Sequence, residues 1–280
     1  KCMNACPFGA IFEISQVFDI LQAIRRGEEV VAVVAPSILS QYNAPTEQVY
    51  GAIKAIGFTD VIEVARGAEI TTEKETHEFA EKMEEGQAFM TTSCCPSYME
   101  MARKHAPELQ KYISTTYSPM VYTAQLAREK YPNAKVVFVG PCIAKRKEAR
   151  REDLKGLVDY VLTYEETHAI LGGMNIELGE ANVHPVDCAS RRSAHGFAEN
   201  GGVTAAVKEL VDGKIDFTTL QIAGLNKKNV ALLKAYGKTG KAPAQFIEVM
   251  VCDGGCISGP SVHTAYGDGK KVFDAELKKR

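Results

Sequence analysis

The sequence has no long hydrophobic run, no excess of charge of one sign and no recognisable secretory signal. Its 280 residues carry 33 Lys and Arg against 35 Asp and Glu, a net charge of -2, which argues against nucleic acid or an anionic membrane surface as the main partner. The longest apolar run, at 30–34, is far shorter than the roughly 20 residues of a membrane-spanning helix. The hydrophobic share of 45% is typical of a globular protein.

Cysteine is well represented, and its spacing excludes several classes of site. The eight cysteines are Cys2, Cys6, Cys94, Cys95, Cys142, Cys188, Cys252 and Cys256. A chain of this length does not need a disulfide framework, so we expect a cytoplasmic protein with metal-binding or catalytic thiols. Zinc is the simpler alternative, but no CxxC pair repeats at the spacing of a zinc finger or ribbon. Thiols spread over distant loops suit an iron–sulfur site better.

The first eleven residues, KCMNACPFGAI, resemble the end of a CxxCxxCxxxCP cluster motif. Cys2 would be its third cysteine and Cys6 its fourth, followed by Pro7. In two-cluster ferredoxins the fourth cysteine serves the other cluster, so these two cysteines cannot hold a cluster alone. We expect residues 1–14 to be the remnant of a ferredoxin-like 4Fe-4S module whose true N-terminus is missing. Two incidental thiols are the alternative.

Beyond this segment, apolar runs of strand length alternate with helical patterns. The predicted strands are at 29–36, 61–65, 88–92, 135–140, 159–164, 216–222 and 245–251. Helices are predicted at about 46–57, 72–85, 118–131, 202–212 and 227–237. Continuous apolar strands alternating with helices indicate an α/β fold whose parallel sheets are covered on both faces. We expect two lobes, 15–150 and 151–280, each a mostly parallel sheet flanked by helices.

Candidate ligands follow four of the predicted strands at their carboxyl ends. These residues are Pro36 and Ser37, Cys94 and Cys95, Cys142, and Cys252 with Cys256. Open α/β sheets place ligands in the crevice at the carboxyl ends of their strands. If these edges face one another, Cys95, Cys142, Cys252 and Cys256 form a four-thiolate site in the cleft between the lobes.

Three segments identify a family that this chain resembles. TSCCPSY (92–98), GPCIAKRKE (140–148) and EVMVCDGGC (248–256) are similar to the three cluster-binding signatures of iron-iron (FeFe) hydrogenases. APSI (35–38), GAEIT (67–71), the SP of Ser118 and Pro119, DYVLT (159–163) and GFAENGGV (196–203) also fit that catalytic domain, in the expected order. The resemblance covers nearly the whole chain from about residue 15.

The resemblance implies an H-cluster, in which a 4Fe-4S cubane is joined through one cysteine sulfur to a two-iron unit. The implied cubane ligands are Cys95, Cys142, Cys252 and Cys256, with Cys256 bridging to the two-iron unit. Further 4Fe-4S clusters would lie in the missing upstream region. Implied partners are H2, protons, a ferredoxin or another electron carrier, and the maturation proteins that make the two-iron unit.

Other residues take their implied roles from their positions in these motifs. Cys94 would pass protons to and from the two-iron unit, although a small buried hydrophobe is the simpler interpretation. Lys145 would donate to a cyanide ligand, with Glu148 as its partner. Ser37, in the turn at Pro36, would contact the other cyanide, while Met250 and Phe197 would line the cage. Taken singly, Met250 and Phe197 are more often ordinary core residues.

A proton path to the surface is the last implied element. On the predicted helix 72–85, Glu75 and Glu78 lie on one flank with Lys82, which is also what an ordinary solvated face of charge pairs would show. Alignment through GAEIT and TSCC matches Glu75 and Glu78 to the family's two relay glutamates, and Ser114 to the serine between them. We therefore predict a relay of Cys94, Glu75, Ser114 and Glu78.

These observations predict an enzyme that reversibly reduces protons to H2 with electrons from an iron–sulfur module. An H2-sensing regulatory protein with the same cluster is an alternative, and a non-catalytic iron–sulfur assembly protein is another. Gly140 replaces the family's usual Met, Tyr98 replaces a Trp and Pro260 interrupts a glycine run, so this is a divergent branch. No ligand spacing relates Cys188 or the six histidines.

Overall fold

Two parallel sheets form the framework of the protein. The computed structural model of the chain describes residues 6–11, 13–185, 190–211, 213 and 216–280. The strands among these residues are β1 (Val30–Val34), β2 (Asp60–Glu63), β3 (Met90–Thr91), β4 (Lys135–Gly140), β5 (Tyr160–Thr163), β6 (Thr219–Ala223) and β7 (Phe246–Met250). One sheet has the order β2-β1-β4-β5 and the other β3-β7-β6, and every strand pair is parallel. The predicted α/β class is confirmed.

Helices cover both sheets. The α-helices are α1 (Val17–Arg25), α2 (Thr46–Ala55), α3 (Ala65–Glu84), α4 (Pro96–His105), α5 (Pro119–Lys130), α6 (Lys145–Ala149), α7 (Tyr164–Gly173), α8 (Arg192–Gly196), α9 (Gly202–Val211), α10 (Lys227–Thr239) and α11 (Tyr266–Leu277). Short 3₁₀ helices span Pro36–Ser40, Pro107–Tyr112, Glu152–Leu154 and Cys256–Ser258. No helix in the described part of the chain is long and apolar enough to cross a membrane.

The first sheet is buried on both faces, as its uninterrupted apolar strands predict. Along β1, Val30, Ala32 and Val34 pack into one hydrophobic cluster, while Val31 and Val33 pack into another on the opposite face. Successive side chains of a strand point to opposite faces. The run VVAVV therefore has no polar face, and this is why it occupies the interior of the sheet.

The second sheet draws its strands from distant parts of the chain. β3 pairs with β7 through Met90 and Phe246, although β3 precedes β4 and β5 of the first sheet in sequence. The sheets therefore do not follow the expected division of the chain at residue 150. Strand pairing between β3 and β7 is a long-range choice that local sequence pattern does not reveal. Only two residues of the predicted strand 88–92 join the ladder.

Helix α3 is longer than predicted, because it begins at Ala65 rather than near residue 72. Gly67, which weakens a helical prediction, lies inside it where α3 crosses α5. A Cβ at Gly67 would stand 2.2 Å from Pro119 O and 2.4 Å from Thr123 Oγ1. The close approach of two helices explains this glycine. Farther along, Phe79 of α3 is fully buried against the second sheet.

Candidate functional site

The four predicted cluster ligands lie on loops that leave the carboxyl ends of three strands. Cys95 precedes α4, whose first residue is Pro96. Cys142 comes two residues after β4. Cys252 follows β7 and Cys256 opens a 3₁₀ helix. All four side chains are half-buried.

Electrostatic effects show that these thiols lie near one another in a water-poor place. Burial raises the pKa of Cys256 well above its usual range, and the neighbouring Cys142, Cys252 and Cys95 raise it further. Burial, followed by the charge of Cys95, raises the pKa of Cys142 to about 11. Thiols brought from both sheets therefore share one environment that disfavours uncompensated thiolates.

This donor set fits an iron–sulfur cubane. Among the described residues, no group of three or more His, Cys, Asp or Glu side chains is arranged to hold a single metal ion. The four cysteines of a 4Fe-4S cluster are spread around a larger group than a single ion. A bound cluster would deprotonate the thiols and compensate their charge. The residues present therefore fit the cubane that the resemblance implies.

Consecutive glycines shape the loop between Cys252 and Cys256. Gly254 has φ 88° and Gly255 has φ 84°, conformations that favour glycine. A Cβ at Gly255 would stand 2.6 Å from Glu199 Cα. This close approach holds the loop against the segment that carries Phe197.

Phe197 and Met250 belong to the same buried apolar cluster. Their exposed fractions are 6% and 4%, and both Cys94 and Cys95 pack against this cluster. They are ordinary core residues, and the cluster to which they belong also contacts Cys94 and Cys95. Their specific role toward a cofactor stays a prediction.

Lys145, at the first position of α6, connects the loop after β4 to the loop after β3 that carries Cys94. Its Nζ donates to Glu148 Oε2 at 2.6 Å, Ser118 Oγ at 3.0 Å and the Cys94 carbonyl at 3.4 Å. Burial by itself would lower the pKa of Lys145, but the charge and hydrogen bond of Glu148 hold it above its usual range. The cation is thus retained inside the protein, as a donor to an anionic ligand requires. Sequence reasoning missed Ser118 as a partner of this lysine.

Ser37 is completely buried in the 3₁₀ helix that Pro36 opens, just after β1. Its Oγ shares a hydrogen bond of 2.8 Å with the hydroxyl of Tyr164. Tyr164 also donates to the carbonyl of Ala35 at 3.0 Å, so its hydroxyl hydrogen has two possible acceptors. Burial raises the pKa of Tyr164, and Cys256 adds to that effect, so this hydroxyl lies within electrostatic reach of that thiol. Tyr164 is a neighbour that motif spacing did not indicate.

Glu75 is fully buried on α3 beside the Cys94 loop. Ser93 N donates to its Oε1 at a long 3.4 Å, while Oε2 has no hydrogen-bond partner within the described residues. Burial raises the pKa of Glu75 to about 8. Burial also raises the pKa of Cys94, and the Glu75 carboxylate adds to that effect. Two poorly solvated titratable groups therefore adjoin the predicted ligands.

Glu78 lies one turn farther along α3 and has a very different environment. Ser114 Oγ donates to Glu78 Oε2 at 2.6 Å, as the predicted order of the relay requires. Thr115 and Thr116 also donate to this carboxylate, and neither appeared in the sequence-based prediction. Glu78 is half-buried and borders an open cavity of about 610 Å³ together with His77 and Glu81.

Some predicted residues do not join this site. Cys2 and Cys188 lie outside the described residues. Cys6 lies in the N-terminal segment, where the backbone N–H groups of Ala10 and Phe8 lower its pKa. No contact of Lys82 with Glu75 or Glu78 is found in the described part of the chain.

Two departures from the family pattern have local structural consequences. Gly140 ends β4, and a Cβ there would stand 2.4 Å from Phe138 Cε1. The Phe138 ring thus occupies the space that a side chain at 140 would need. Tyr98 is fully buried and its hydroxyl shares a hydrogen bond of 2.7 Å with Thr91 Oγ1. The buried hydroxyl group therefore has a hydrogen-bond partner.

Comparison with known families decides the relationship of this chain. The family described as "Iron only hydrogenase large subunit, C-terminal domain" matches residues 28–260. The chain belongs to this family. Iron hydrogenase 1 of Clostridium pasteurianum is 27% identical over 306 residues, covering 90% of this chain and 53% of that protein. The NADP-reducing hydrogenase subunit HndD of Solidesulfovibrio fructosivorans is 28% identical, covering 96% and 56%.

A solved FeFe-hydrogenase structure shares the fold of this chain. The structure of HydA(deltaEFG), described as revealing stepwise FeFe-hydrogenase H-cluster assembly, has a TM-score of 0.75 at 20% identity and covers 93% of this chain and 88% of that chain. A different branch is represented by the cytosolic Fe-S cluster assembly factor NAR1 of Eremothecium gossypii. It is 31% identical over 119 residues, covering 42% of this chain and 26% of that protein. The chain spans about half the length of the two hydrogenase relatives it matches.

Proposed function

We propose that this chain is the catalytic domain of an FeFe hydrogenase, which interconverts H2 with protons and electrons at an H-cluster. The observation that carries the proposal is the convergence of Cys94, Lys145 and Glu75 on the four-thiolate environment. A protein that holds only a cubane has no evident need for a buried lysine and a buried carboxylate beside it. Groups that donate to anions and carry protons suit a reaction that consumes or releases protons.

The ligand set for the cubane is Cys95, Cys142, Cys252 and Cys256. When bound, the H-cluster supplies the redox chemistry and the site at which H2 is formed or split. The protein holds a cation at Lys145 through Glu148 and Ser118, and keeps water out with Phe197 and Met250. It also holds the hydroxyl of Ser37 against Tyr164. These groups would orient the cluster's anionic ligands.

Proton transfer is assigned to the side chains that lead away from the thiols. Cys94 would exchange protons with the reacting centre and with Glu75. Ser114 Oγ, at 2.6 Å from Glu78 Oε2, would pass the proton onward to the outer carboxylate. Because Glu75 has one free oxygen and a pKa of about 8, it is suited to hold a proton near neutral pH.

Electron delivery is assigned to the N-terminal side of the chain. Backbone N–H groups around Cys6 favour its thiolate, the form that binds iron. Glu13 pairs with Arg146 at 2.6 Å, so the segment after Cys6 is anchored to the residue next to Lys145. We propose that an iron–sulfur module here receives electrons from a ferredoxin or another carrier. The two-iron unit would come from maturation proteins, and the protein would act in the cytoplasm.

The second candidate function is iron–sulfur cluster assembly without catalysis. The similarity to NAR1 favours it, since that relative is 31% identical across 119 residues. This alternative requires the cubane ligands but leaves Cys94 and Lys145 without a task. The two functions therefore differ in whether the protein can hold a two-iron unit.

Infrared spectroscopy of the anaerobically matured protein separates these functions. We expect sharp CO and cyanide stretching bands that shift when H2 is admitted. The matched control is the protein with its cubane but without the two-iron precursor, which should show none of these bands. A silent spectrum from protein that holds its cubane and was offered the precursor would contradict the proposal and favour the assembly function.

A further inference from the structure

The carboxylate of Glu78 is surrounded by donors from one short segment of the chain. Besides Ser114 Oγ, the Thr115 N–H donates to both oxygens at 2.9 and 3.0 Å. The Thr115 hydroxyl donates to Oε1 at 3.0 Å, and the Thr116 hydroxyl donates to Oε2 at 3.1 Å. Hydrogen bonds from neutral donors stabilise the ionised form of a carboxyl group. Residues 114–116 thus form a cradle for a negative charge.

Glu75, one turn earlier on the same helix, has the opposite environment. It receives a long hydrogen bond of 3.4 Å from Ser93 N, has the Ser114 hydroxyl near it, and is fully buried. Burial therefore dominates at Glu75 and raises its pKa. At Glu78 burial also acts upward, but the donors from Ser114, Thr115 and Thr116 outweigh it and lower the pKa below its usual value. Proton affinity falls from the inner carboxylate to the outer one.

We propose that Thr115 and Thr116 are positioning residues whose hydroxyls keep Glu78 ionised, so that the outer carboxylate is always ready to accept a proton from inside. The role of this ionised group in turnover rests on the proposed hydrogenase function. The ionisation itself follows from the contacts and does not depend on that function.

The orientation of Ser114 supports this direction of acceptance. Thr116 N donates to Ser114 Oγ at 3.1 Å, which directs the serine's own hydrogen toward Glu78. A proton leaving the Glu75 carboxyl group would bind Ser114 Oγ while Ser114 releases its hydrogen to Glu78 Oε2. The negative charge then moves from Glu78 to Glu75, and Ser114 ends neutral. The step requires Glu78 to be unprotonated at its start.

Other titratable groups also face Glu78. From its own helix and from the segment that leads into α5, the groups bordering the same cavity are Glu73, Lys74, His77, Glu81, Tyr117 and Tyr122. Lys74 Nζ lies 5.8 Å from the centre of the Tyr122 ring, and His77 pairs with Glu81 at 3.4 Å. His77 and Glu81 are largely exposed, so solvent screens their charges. The hydroxyls of Thr115 and Thr116 contact Glu78 directly, and a substitution can remove them without changing charge and without removing Ser114 from the predicted relay.

The test removes these hydroxyls while keeping side-chain size. We would prepare Thr115→Val, Thr116→Val and the double variant, with Thr115→Ser and Thr116→Ser as matched controls that retain a hydroxyl. The first readout is the infrared carboxyl-stretch titration of Glu78, with its band identified by the difference from Glu78→Gln. We expect the valine variants to raise the midpoint by about one pH unit or more, and the serine variants to keep the wild-type midpoint.

The second readout is the pH profile of H2 oxidation by the loaded protein. Its acid limb should move to higher pH in the valine variants, because a Glu78 that already carries a proton cannot accept another. An unchanged carboxyl midpoint in the double variant would overturn the inference. Thr115→Val alone carries the same test if the double variant does not fold, because Thr115 is exposed. A shifted midpoint in protein without H2 activity would support this inference while counting against the proposed hydrogenase function.

Discussion

Cys94 and Cys95 are adjacent in the chain but differ in their electrostatic neighbours. Both pack against the cluster that holds Met250 and Phe197. Burial raises the pKa of Cys94, and the Glu75 carboxylate adds more to that effect than Cys95 and Cys256 do. Cys95 in turn raises the pKa of Cys142 and Cys256. Consecutive residues leaving a strand point in different directions, so the strongest charged neighbour of Cys94 is Glu75, while Cys95 is coupled to the remaining thiols.

This difference predicts opposite outcomes for two adjacent substitutions. Cys95→Ala should lose most of the bound iron, because a cubane ligand is removed. Cys94→Ala should retain a normal iron content and cubane spectrum, and it serves as the matched control. Iron analysis and electron paramagnetic resonance of the reduced proteins provide the measurement. Equal iron loss in both variants would contradict the assignment of the ligand.

The outer relay residue can be tested without disturbing the cluster. Glu78→Gln should lower turnover by about 100-fold or more, since an amide cannot carry the proton, while the infrared bands of the cluster stay nearly unchanged. Glu81→Gln is the control, because Glu81 is an exposed carboxylate on the same helix. Full activity in the Glu78 variant would exclude the relay.

Glu75 should make stability depend on pH. Its folded-state pKa of about 8 lies above the ordinary value of 4.5, so the folded form binds this proton more tightly than the unfolded form. The stability it contributes is fully present below 4.5 and is lost as pH rises to about 8. Glu75→Gln should remove this decline, which is on the order of 5 kcal/mol across the range. Denaturant unfolding of both proteins at several pH values gives the comparison, and parallel curves would contradict it.

Among the elements, α3 carries both carboxylates of the predicted relay, Glu75 and Glu78. Its position is set by the contact of Gly67 with Pro119 and Thr123 of α5. Glu248 of β7 has a similar anchoring role, since Thr204 N and Oγ1 of α9 each donate to it at 2.8 Å. These buried contacts hold helices against the sheet edges that deliver the thiols.

Gly67→Ala should therefore destabilise the protein by about 1–3 kcal/mol, because its methyl group overlaps the backbone of α5. Ser114 and Glu78 lie on different segments, so turnover should fall as well. Gly172→Ala on α7 is the control. Beyond its own helix backbone and chain neighbours, no atom of the described residues lies within 4 Å of its added Cβ, and a helical alanine is favoured over glycine by about 1 kcal/mol. Chemical denaturation of the two variants measures the difference, and equal stability would contradict the close contact.

Some of these elements could be predicted from the sequence and others could not. The positions of β1, β4 and β7 follow from apolar runs, since a strand buried on both faces has no polar alternation. The start of α3 was missed because Gly67 disfavours a helix locally while the helix crossing requires it. The membership of β3 in the second sheet was missed because pairing with β7 joins residues that are far apart in the chain.

At the scale of the whole molecule, the two sheets are joined through the thiol loops. Lys145, which follows β4, contacts the carbonyl of Cys94, which follows β3. Ser261 N also donates to the carbonyl of Pro141 at 3.2 Å. A cluster bound by all four cysteines would add covalent links between these same loops.

Cluster loading should therefore stabilise the folded protein. Protein with its cubane is expected to unfold several degrees above metal-free protein, because the cluster binds the folded arrangement of the thiols and not the unfolded chain. Anaerobic thermal unfolding followed by circular dichroism is the measurement, with Cys94→Ala loaded in the same way as a control that keeps every ligand. Equal unfolding midpoints with and without the cubane would contradict binding of the cluster by the folded arrangement of the four thiols.

The sequence by itself determined the α/β class, the strands that end at the site, the four candidate ligands and the family. These features depend on local patterns, because apolar runs specify buried strands and short motifs retain their spacing without tertiary information. Only the tertiary structure decided which sheet each strand joins, the contact between Lys145 and Ser118, and the donors from Thr115 and Thr116 to Glu78. Those contacts link residues that are distant in the chain, and their energies depend on burial and geometry that no local pattern encodes.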